Sequence, residues 1–218
     1  MFCIEKTLVK IQHGIAHYKR RSINKRMRKN LINREFTILS CNCTGGVISH
    51  DLGLRMNSPT INFFFMAEDY LRFLENMDYY LQAPITKAEI QNQPWLIANI
   101  GDIEAHLVHY NSIEDFCNAW NRRKQRINKD NIFLLWCDRD GFKEEMLGRF
   151  ASLPYPKVFF SHKAHENCDF EVVLPEFAND DYVGILSDFI DSSGEKYYDK
   201  HFDVVRWLNG ESVSACKK

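Results

Sequence analysis

This sequence lacks any long hydrophobic run, and none of its apolar stretches approaches the ~20 residues that a membrane-spanning helix requires. It also lacks an apolar segment of the signal-peptide type. Its seven cysteines are an odd number scattered along the chain, which is not the pattern of a disulfide framework. We therefore expect a cytoplasmic protein with reduced thiols.

The common signatures of nucleotide and metal binding are also missing. The paired glycines Gly45 and Gly46 are followed by neither the Gly-Lys-Ser/Thr of a Walker A loop nor the spacing of G-x-G-x-x-G. Cys41 and Cys43 form a C-x-C without a second pair, which gives little support to a structural zinc site. The net charge of −1 provides no overall positive field, so nucleic acid is not an expected partner.

The charge is nevertheless distributed unevenly. Residues 1–35 hold ten basic side chains against two acidic ones, a net charge of +8, which leaves −9 for the rest. Ile4, Leu8, Ile11 and Ile15 repeat at helical spacing in this region. The prediction is a basic helical arm over residues 1–34 and a single α/β domain over residues 35–218. The basic face is either simply solvated or in contact with anionic lipid headgroups or a phosphorylated substrate.

Strand-like and helix-like segments alternate after the arm. The predicted strands are 36–40, 60–65, 95–98, 104–110, 132–137, 157–161 and 170–174. Segments with apolar residues at helical spacing lie between several of these strands, and a further helix is predicted over 179–190. This pattern predicts an α/β fold with a mainly parallel sheet and helices on both faces, a Rossmann-like three-layer sandwich. Ligands of such sheets bind outside the carboxyl ends of the strands.

The stretch 36–54 is typical of a strand, a tight turn and a new helix. Backbone N–H groups at the helix start can bind an anion. The predicted substrate-binding residues here are Ser40, Asn42, Cys43, Thr44, Gly45 and Gly46. Alternatively, the two glycines only allow a turn with positive φ, and Asn42 or Thr44 caps the helix. Cys43 is either a nucleophile activated by the helix N-terminus or a small packed thiol.

Basic residues crowd the end of the helix predicted after Ser112. They exceed what the helix dipole requires and indicate a phosphate or carboxylate partner. The predicted substrate-binding residues in this part of the chain are Tyr110, Arg122, Arg123, Arg126 and Asn128.

Candidate catalytic residues lie at the carboxyl ends of two predicted strands. His109 is the predicted general base because the pKa of an unperturbed histidine lies near neutrality. Asp138 and Asp140 form a D-x-D at a strand end, the motif by which many glycosyltransferases hold a divalent metal and a nucleotide-sugar diphosphate. Two carboxylates can share one Mg²⁺ or Mn²⁺. Alternatively, Asp140 caps the next helix and Asp138 pairs with an arginine.

As a set, several motifs resemble the signature of a bacterial family of unknown function that is associated with exopolysaccharide biosynthesis. The resemblance covers about residues 35–162 and rests on Ser40–Ile48, Asp51–Leu54, Ser58–Thr60, His109-Tyr110, Trp120–Asn128 and Asp138–Gly141. The sequence departs from that signature at Cys41, where the family usually has Asn, and at Thr44, where it usually has an aromatic residue. These departures argue against catalytic roles for Cys41 and Thr44.

The resemblance implies a role in cell-surface polysaccharide biosynthesis. Together with the residues above, it predicts a transferase on a sugar phosphate or nucleotide-sugar. The alternative is a non-catalytic scaffold that docks on a membrane or on a glycosyltransferase through its basic N-terminal helix.

Overall fold

The computed structural model describes residues 2–89 and 93–218, without the side chains of residues 2–10. The strands are β1 (Thr37–Ser40), β2 (Ile85–Lys87), β3 (Leu96–Ile100), β4 (Ile103–Leu107), β5 (Ile132–Cys137), β6 (Lys157–Ser161) and β7 (Glu171–Val173). The helices are α1 (Phe2–Asn30), α2 (Thr44–Asp51), α3 (Ala67–Glu75), α4 (Met77–Tyr80), α5 (Ile113–Lys124), α6 (Leu147–Ser152), α7 (Tyr197–Lys200), α8 (Val204–Leu208) and α9 (Val213–Cys216). Short 3₁₀ helices cover Glu144–Met146 and Pro175–Phe177.

The main sheet is parallel and has the strand order β1-β5-β6-β7. Strand β5 is apolar throughout and buried at all six positions, as a central strand covered on both faces requires. A second sheet is antiparallel and has the order β2-β3-β4. The α/β class is thereby confirmed, whereas the Rossmann-like three-layer arrangement stays a prediction.

Aromatic side chains join β5 to helices through both of its faces. The Trp136 ring lies 6.2 Å from that of Tyr70 in α3 and 5.0 Å from that of Phe150 in α6. Phe133 points to the opposite face because it lies three residues earlier, and its ring lies 5.0 Å from that of Trp207 in α8. These contacts fix the strand in the interior and set the position of its carboxyl end.

Segment 60–65, a predicted strand, instead links the two sheets. Phe64 forms an isolated bridge with His106 of β4, and the Phe65 N–H donates to the Cys41 carbonyl just beyond β1 (2.9 Å). Asn62 has φ +70°, which interrupts the extended backbone that a strand needs. The segment therefore brings the end of β4 close to the end of β1.

Two further sequence predictions are corrected by the structure. The predicted strand 104–110 is shorter: β4 ends at Leu107 and belongs to the antiparallel sheet, so His109 lies in the following turn. The predicted helix over 179–190 is absent, and those described residues form turns and irregular backbone. There the Val183 N–H donates to the Asp138 carboxylate, a bond that replaces a helical one.

Helix α1 packs along the body through one stripe. Ala16, Arg20 and Met27 are buried, whereas the basic residues Arg21 and Lys25 are exposed. The side chains of Ile4 and Leu8 lie outside the described residues. The contacts of α1 show that this helix is attached to the α/β body from Ala16 onward, and the division of the chain at residue 34 stays a prediction.

The attachment of α1 rests on buried charges. Arg20 forms salt bridges with Asp51 at the end of α2 (2.9 Å) and with Asp199 in α7. Asp51 also accepts hydrogen bonds from Lys196 and from Tyr198, both at 2.8 Å. Two cations therefore face two carboxylates in the interior, where charges are stable only when they are paired.

No helix among the described residues is both long enough and apolar enough to cross a bilayer.

Candidate functional site

A cleft of about 510 Å³ lies where several strands end. We call it the main cleft. Its lining includes residues that follow β1, β4 and β5, together with the irregular segment 184–188. Sequence-predicted residues that line it are Asn42, Cys43, Thr44, His109 and Asp140. The carboxyl ends of β1 and β5 thus form part of this cleft, which is where parallel sheets favour ligand binding.

The turn after β1 differs from the predicted glycine loop. The Asn42 side chain accepts a hydrogen bond from the Thr44 N–H (3.0 Å), so α2 begins at Thr44 and the two glycines lie in its first turn. A Cβ on Gly45 would lie 2.9 Å from the Ser40 Cβ, and one on Gly46 would lie 3.0 Å from Ile61 Cγ2. Neither glycine has a positive φ. Their role in the structure is close packing of α2.

Cys43 does not have the environment of an activated thiol. Burial raises the pKa of Cys43, and its Sγ lies 3.8 Å from the Phe63 carbonyl. A raised pKa keeps the sulfur protonated near neutral pH, whereas a nucleophile requires the thiolate. The alternative of a packed thiol therefore fits Cys43 better.

Asp140 and Arg139 stand on the wall of the main cleft just after β5. Asp140 has φ +55°, a conformation that Asp tolerates better than most residues. Burial raises the pKa of Asp140, and the neighbouring Arg139 charge partly opposes that shift. Arg139 lies over the Tyr182 ring at 5.4 Å and donates to the Val183 carbonyl (3.2 Å). Asp140 does not cap a helix, because the next helical residues begin at Glu144.

An aromatic wall faces these polar residues. The Phe64 and Trp95 rings lie 5.7 Å apart and both line the main cleft. His106 stacks on Phe64 with ring centroids 4.5 Å apart, and its Nδ1 accepts a hydrogen bond from Trp95 Nε1 (3.1 Å). Burial lowers the pKa of His106, so a neutral ring supports the wall. Sequence reasoning missed this role, since the pairing of Phe64 with His106 bridges distant parts of the chain.

Asp138 lies under a second, smaller cleft rather than in the main one. Its Oδ2 accepts hydrogen bonds from the His162 N–H (2.7 Å) and from His162 Nδ1 (2.5 Å). Its Oδ1 accepts a bond from the Val183 N–H (2.8 Å). Among the residues that the structure describes, the partner of Asp138 is therefore a histidine, and no arginine pairs with it.

The predicted metal role of Asp138 and Asp140 fits this geometry poorly. Both Asp138 oxygens already accept hydrogen bonds from protein donors. Among residues 2–89 and 93–218, no group of three or more His, Cys, Asp and Glu side chains is arranged to hold a metal ion. Among the described residues Asp138 is therefore an unfavourable metal ligand, and the binding of Mg²⁺ or Mn²⁺ stays a prediction.

The second cleft, which we call the side cleft, has a volume of about 360 Å³. It adjoins the main cleft, because Arg139 and Asp140 line both. Its other lining residues are Asp138, Gly141, Phe142, Glu144, His162, Lys163, His165, Asp181 and Tyr182.

The predicted arginines lie apart from both clefts. Arg123 donates to the Tyr110 hydroxyl (2.7 Å) and to the Ile61 carbonyl (3.3 Å), so it holds the segment after β4 in place. Arg122 is exposed, and Arg126 is half-buried. Desolvation and the repulsion of neighbouring arginines lower the pKa of Arg126.

Asn128 and Ser40 form hydrogen bonds within the fold. The Asn128 N–H donates to the Thr37 hydroxyl at the start of β1, and its side-chain amide donates to the Glu35 carbonyl. Asn128 therefore lies at the amino end of the sheet, opposite the clefts. Ser40 is buried beneath α2, where its N–H donates to the Thr60 hydroxyl (3.1 Å).

Fold and clefts together define a mixed α/β protein with a ligand-sized site at the carboxyl ends of parallel strands. The chain belongs to the family described as domain of unknown function DUF1919, whose model matches residues 15–209. An uncharacterized protein of Haemophilus influenzae is 34% identical over 201 residues, which are 92% of this chain and 97% of that protein. Neither match carries a functional description, so the association with exopolysaccharide stays a prediction.

Proposed function

We propose that this protein acts in cell-surface polysaccharide biosynthesis as a transferase on a sugar phosphate or nucleotide-sugar. The observation that carries the proposal is the main cleft, where an aromatic wall faces Asp140, Arg139 and His109 at the carboxyl ends of strands. Its volume of about 510 Å³ lies within the range of small-molecule sites.

Each wall of the main cleft suits a different part of such a substrate. The Phe64 and Trp95 rings offer flat apolar surfaces on which a sugar or base ring can pack. Arg139 supplies the positive charge that a phosphate requires, with its guanidinium oriented by Tyr182. Asp140 is placed to accept hydrogen bonds from sugar hydroxyls, and His109 is exposed within reach of the same space. Phosphate binding is therefore assigned to Arg139 rather than to Arg122 and Arg126.

A thermal-shift panel tests this proposal. UDP-glucose, GDP-mannose and glucose 1-phosphate are added to the purified protein, with and without Mn²⁺. A ligand that binds only the folded state raises the melting temperature by mass action. Asp140→Asn should reduce the shift, because Asn keeps the positive φ and removes the charge.

The matched control is Asp130→Asn, which changes an exposed carboxylate beside Asn128 at the amino end of the sheet. Ligand should raise the melting temperature of this variant as much as that of the wild type. If no compound of the panel raises the melting temperature, the transferase proposal is wrong. A response that requires Mn²⁺ would restore the metal role that the geometry does not favour.

A second candidate function, docking on a membrane, is favoured by the exposed face of α1. Ile11, Ile15 and Tyr18 are exposed and lie on one face at helical spacing. Lys25 and Lys29 continue that face and are exposed too. Apolar side chains followed by lysines on the same face suit an anionic lipid surface, into which the apolar residues insert while the lysines meet the headgroups.

Vesicle sedimentation distinguishes membrane docking through α1 from a helix face that is simply solvated. The wild type should sediment with vesicles that contain phosphatidylglycerol, and Lys25→Glu/Lys29→Glu should not. Lys87→Glu/Lys217→Glu makes the same change in net charge at exposed sites elsewhere and should leave sedimentation intact. Equal behaviour of the two double variants would show that α1 has no docking role.

A further inference from the structure

A histidine that faces the side cleft is held by a buried carboxylate. The Asp138 side chain is 1% exposed, whereas that of His162 is 16% exposed, so the pair runs from the interior to the surface of the cleft. His162 Nδ1 lies 2.5 Å from Asp138 Oδ2, and the Val183 N–H fixes the other carboxylate oxygen. A carboxylate can only accept hydrogen bonds, so the imidazole proton lies on Nδ1.

This arrangement leaves His162 Nε2 with a free lone pair. Within the described part of the chain, no protein group bonds to Nε2. Nε2 is not buried, so solvent can reach it. A histidine fixed in one tautomer by a buried carboxylate, with the other nitrogen open to a cleft, is the arrangement of a general base.

We infer that His162 is the catalytic base of this protein and that Asp138 is its positioning residue. The inference rests on the proposed transferase function and deepens it. The donor occupies the main cleft, and the acceptor hydroxyl enters the adjoining side cleft, since Arg139 and Asp140 line both.

The step balances without a further reactant. His162 Nε2 takes the proton of the acceptor hydroxyl while that oxygen forms a bond to the anomeric carbon of the donor. The bond from the anomeric carbon to the phosphate oxygen breaks, and the leaving phosphate or nucleoside diphosphate keeps the electron pair. The Asp138 carboxylate stabilises the imidazolium, which then returns its proton to water.

A neighbouring pair provides an internal comparison. His165 Nδ1 lies 2.6 Å from Glu171 Oε1, which also accepts a bond from the Ser161 hydroxyl (2.7 Å). The His165 side chain is only 2% exposed, and its Nε2 is buried without a partner. His165 therefore shares the carboxylate partner of a general base but lacks access to a substrate.

Acylation by diethyl pyrocarbonate tests the free nitrogen directly, because the reagent attacks unprotonated imidazole nitrogens. Mass spectrometry of the folded wild type should show rapid modification at His162 and slow modification at His165. In Asp138→Asn the amide can donate to Nδ1, which moves the ring proton to Nε2, so modification at His162 should slow. Equal rates at His162 and His165 would overturn the inference.

Substrate protection and turnover complete the test. UDP-glucose, GDP-mannose or glucose 1-phosphate, whichever binds, should protect His162 from the reagent. His162→Gln should lower the release of UDP, GDP or phosphate by about 10²–10⁴-fold while ligand binding persists. His201→Gln, which breaks a histidine–carboxylate pair with Glu176 outside both clefts, should leave release unchanged.

The two proposals fail in different ways. If none of the three compounds binds, the proposed function fails and the inference fails with it. If a compound binds and turns over, but His162→Gln releases product at the wild-type rate, the transferase stands and His162 is not its base.

Discussion

At the scale of single residues, the two glycines of α2 show how a sequence signal can be located correctly and interpreted wrongly. Gly45 and Gly46 do mark the end of β1 and the start of a helix beside the main cleft. Their missing side chains, however, serve the contact between α2 and the residues beneath it. Local sequence can predict a strand, a polar turn and a helix, but it cannot predict close contacts between different elements.

Substitution of Gly45 tests this packing role. Gly45→Ala should destabilise the protein by about 1–3 kcal/mol, because the added Cβ overlaps the Ser40 and Ile38 side chains. Gly148→Ala, in α6 with open space around its Cβ, should stabilise by about 0.5–1 kcal/mol through helix propensity. Urea denaturation measures both free energies of unfolding. Equal effects of the two substitutions would refute close packing as the role of Gly45.

The buried carboxylate Asp51 predicts a dependence of stability on pH. Burial alone would raise the pKa of Asp51, but the hydrogen bond from Lys196 and the charge of Arg20 lower it below its ordinary value. A carboxyl with a lowered pKa in the folded state contributes stability above its unfolded pKa of about 3.9, and that stability is lost as the pH falls through the folded value.

Stability should therefore fall as the pH is lowered below about 4, with a contribution from Asp51. Urea denaturation of Asp51→Asn over this range should give a shallower decline than that of the wild type. Asp130→Asn, an exposed control, should follow the wild type. Parallel curves for the wild type and Asp51→Asn would contradict the predicted contribution.

At the scale of elements, α1 is more than a basic extension of the body. The positive charge of α1 is visible in the sequence, but the sequence does not distinguish Arg20 from the exposed basic residues around it. The difference arises because Asp51 and Asp199, distant in sequence, converge on that one position of the helix. Long-range pairing of this kind leaves no local pattern.

Arg20→Ala should destabilise the protein by about 3–5 kcal/mol, since it removes the cation that pairs with buried Asp199 and leaves Asp51 with Lys196 alone as its cation. Arg21→Ala truncates the exposed side chain of the next residue. It should change the free energy of unfolding by no more than ~0.5 kcal/mol. Chemical denaturation of both variants checks the difference. A small effect at Arg20 would mean that the charge cluster does not hold α1 to the body.

This attachment also determines how the docking role of α1 can be tested. Deletion of residues 1–30 would remove Arg20 together with the exposed basic face, so a loss of function would confound stability with docking. The exposed lysine substitutions proposed above change the surface and leave the buried contacts in place.

At the scale of the whole molecule, ligand binding in the main cleft stays a prediction, but sequence alone predicted the α/β class and the strand ends beside which that cleft lies. The reason is physical: buried parallel strands have a strong apolar signal, and their carboxyl ends collect polar residues. The small antiparallel sheet, the irregular segment 179–190 and the pairing of Asp138 with His162 were missed. Each of them depends on contacts between segments that are far apart in the sequence.

The proposed function requires that a sugar phosphate or nucleotide-sugar binds in the main cleft. Ile185 lines that cleft and is 56% exposed, so a larger side chain can fill the cleft without disturbing the core. Ile32, which follows the end of α1 at Asn30, is 84% exposed and lines neither cleft, which makes it the matched control.

The decisive measurement is isothermal titration of Ile185→Trp and Ile32→Trp with the panel compound that gives the largest thermal shift. We expect Ile185→Trp to weaken binding by at least about tenfold, a loss of about 1.4 kcal/mol, while Ile32→Trp binds as the wild type does. Wild-type affinity in Ile185→Trp would contradict the account and place the ligand elsewhere on the molecule.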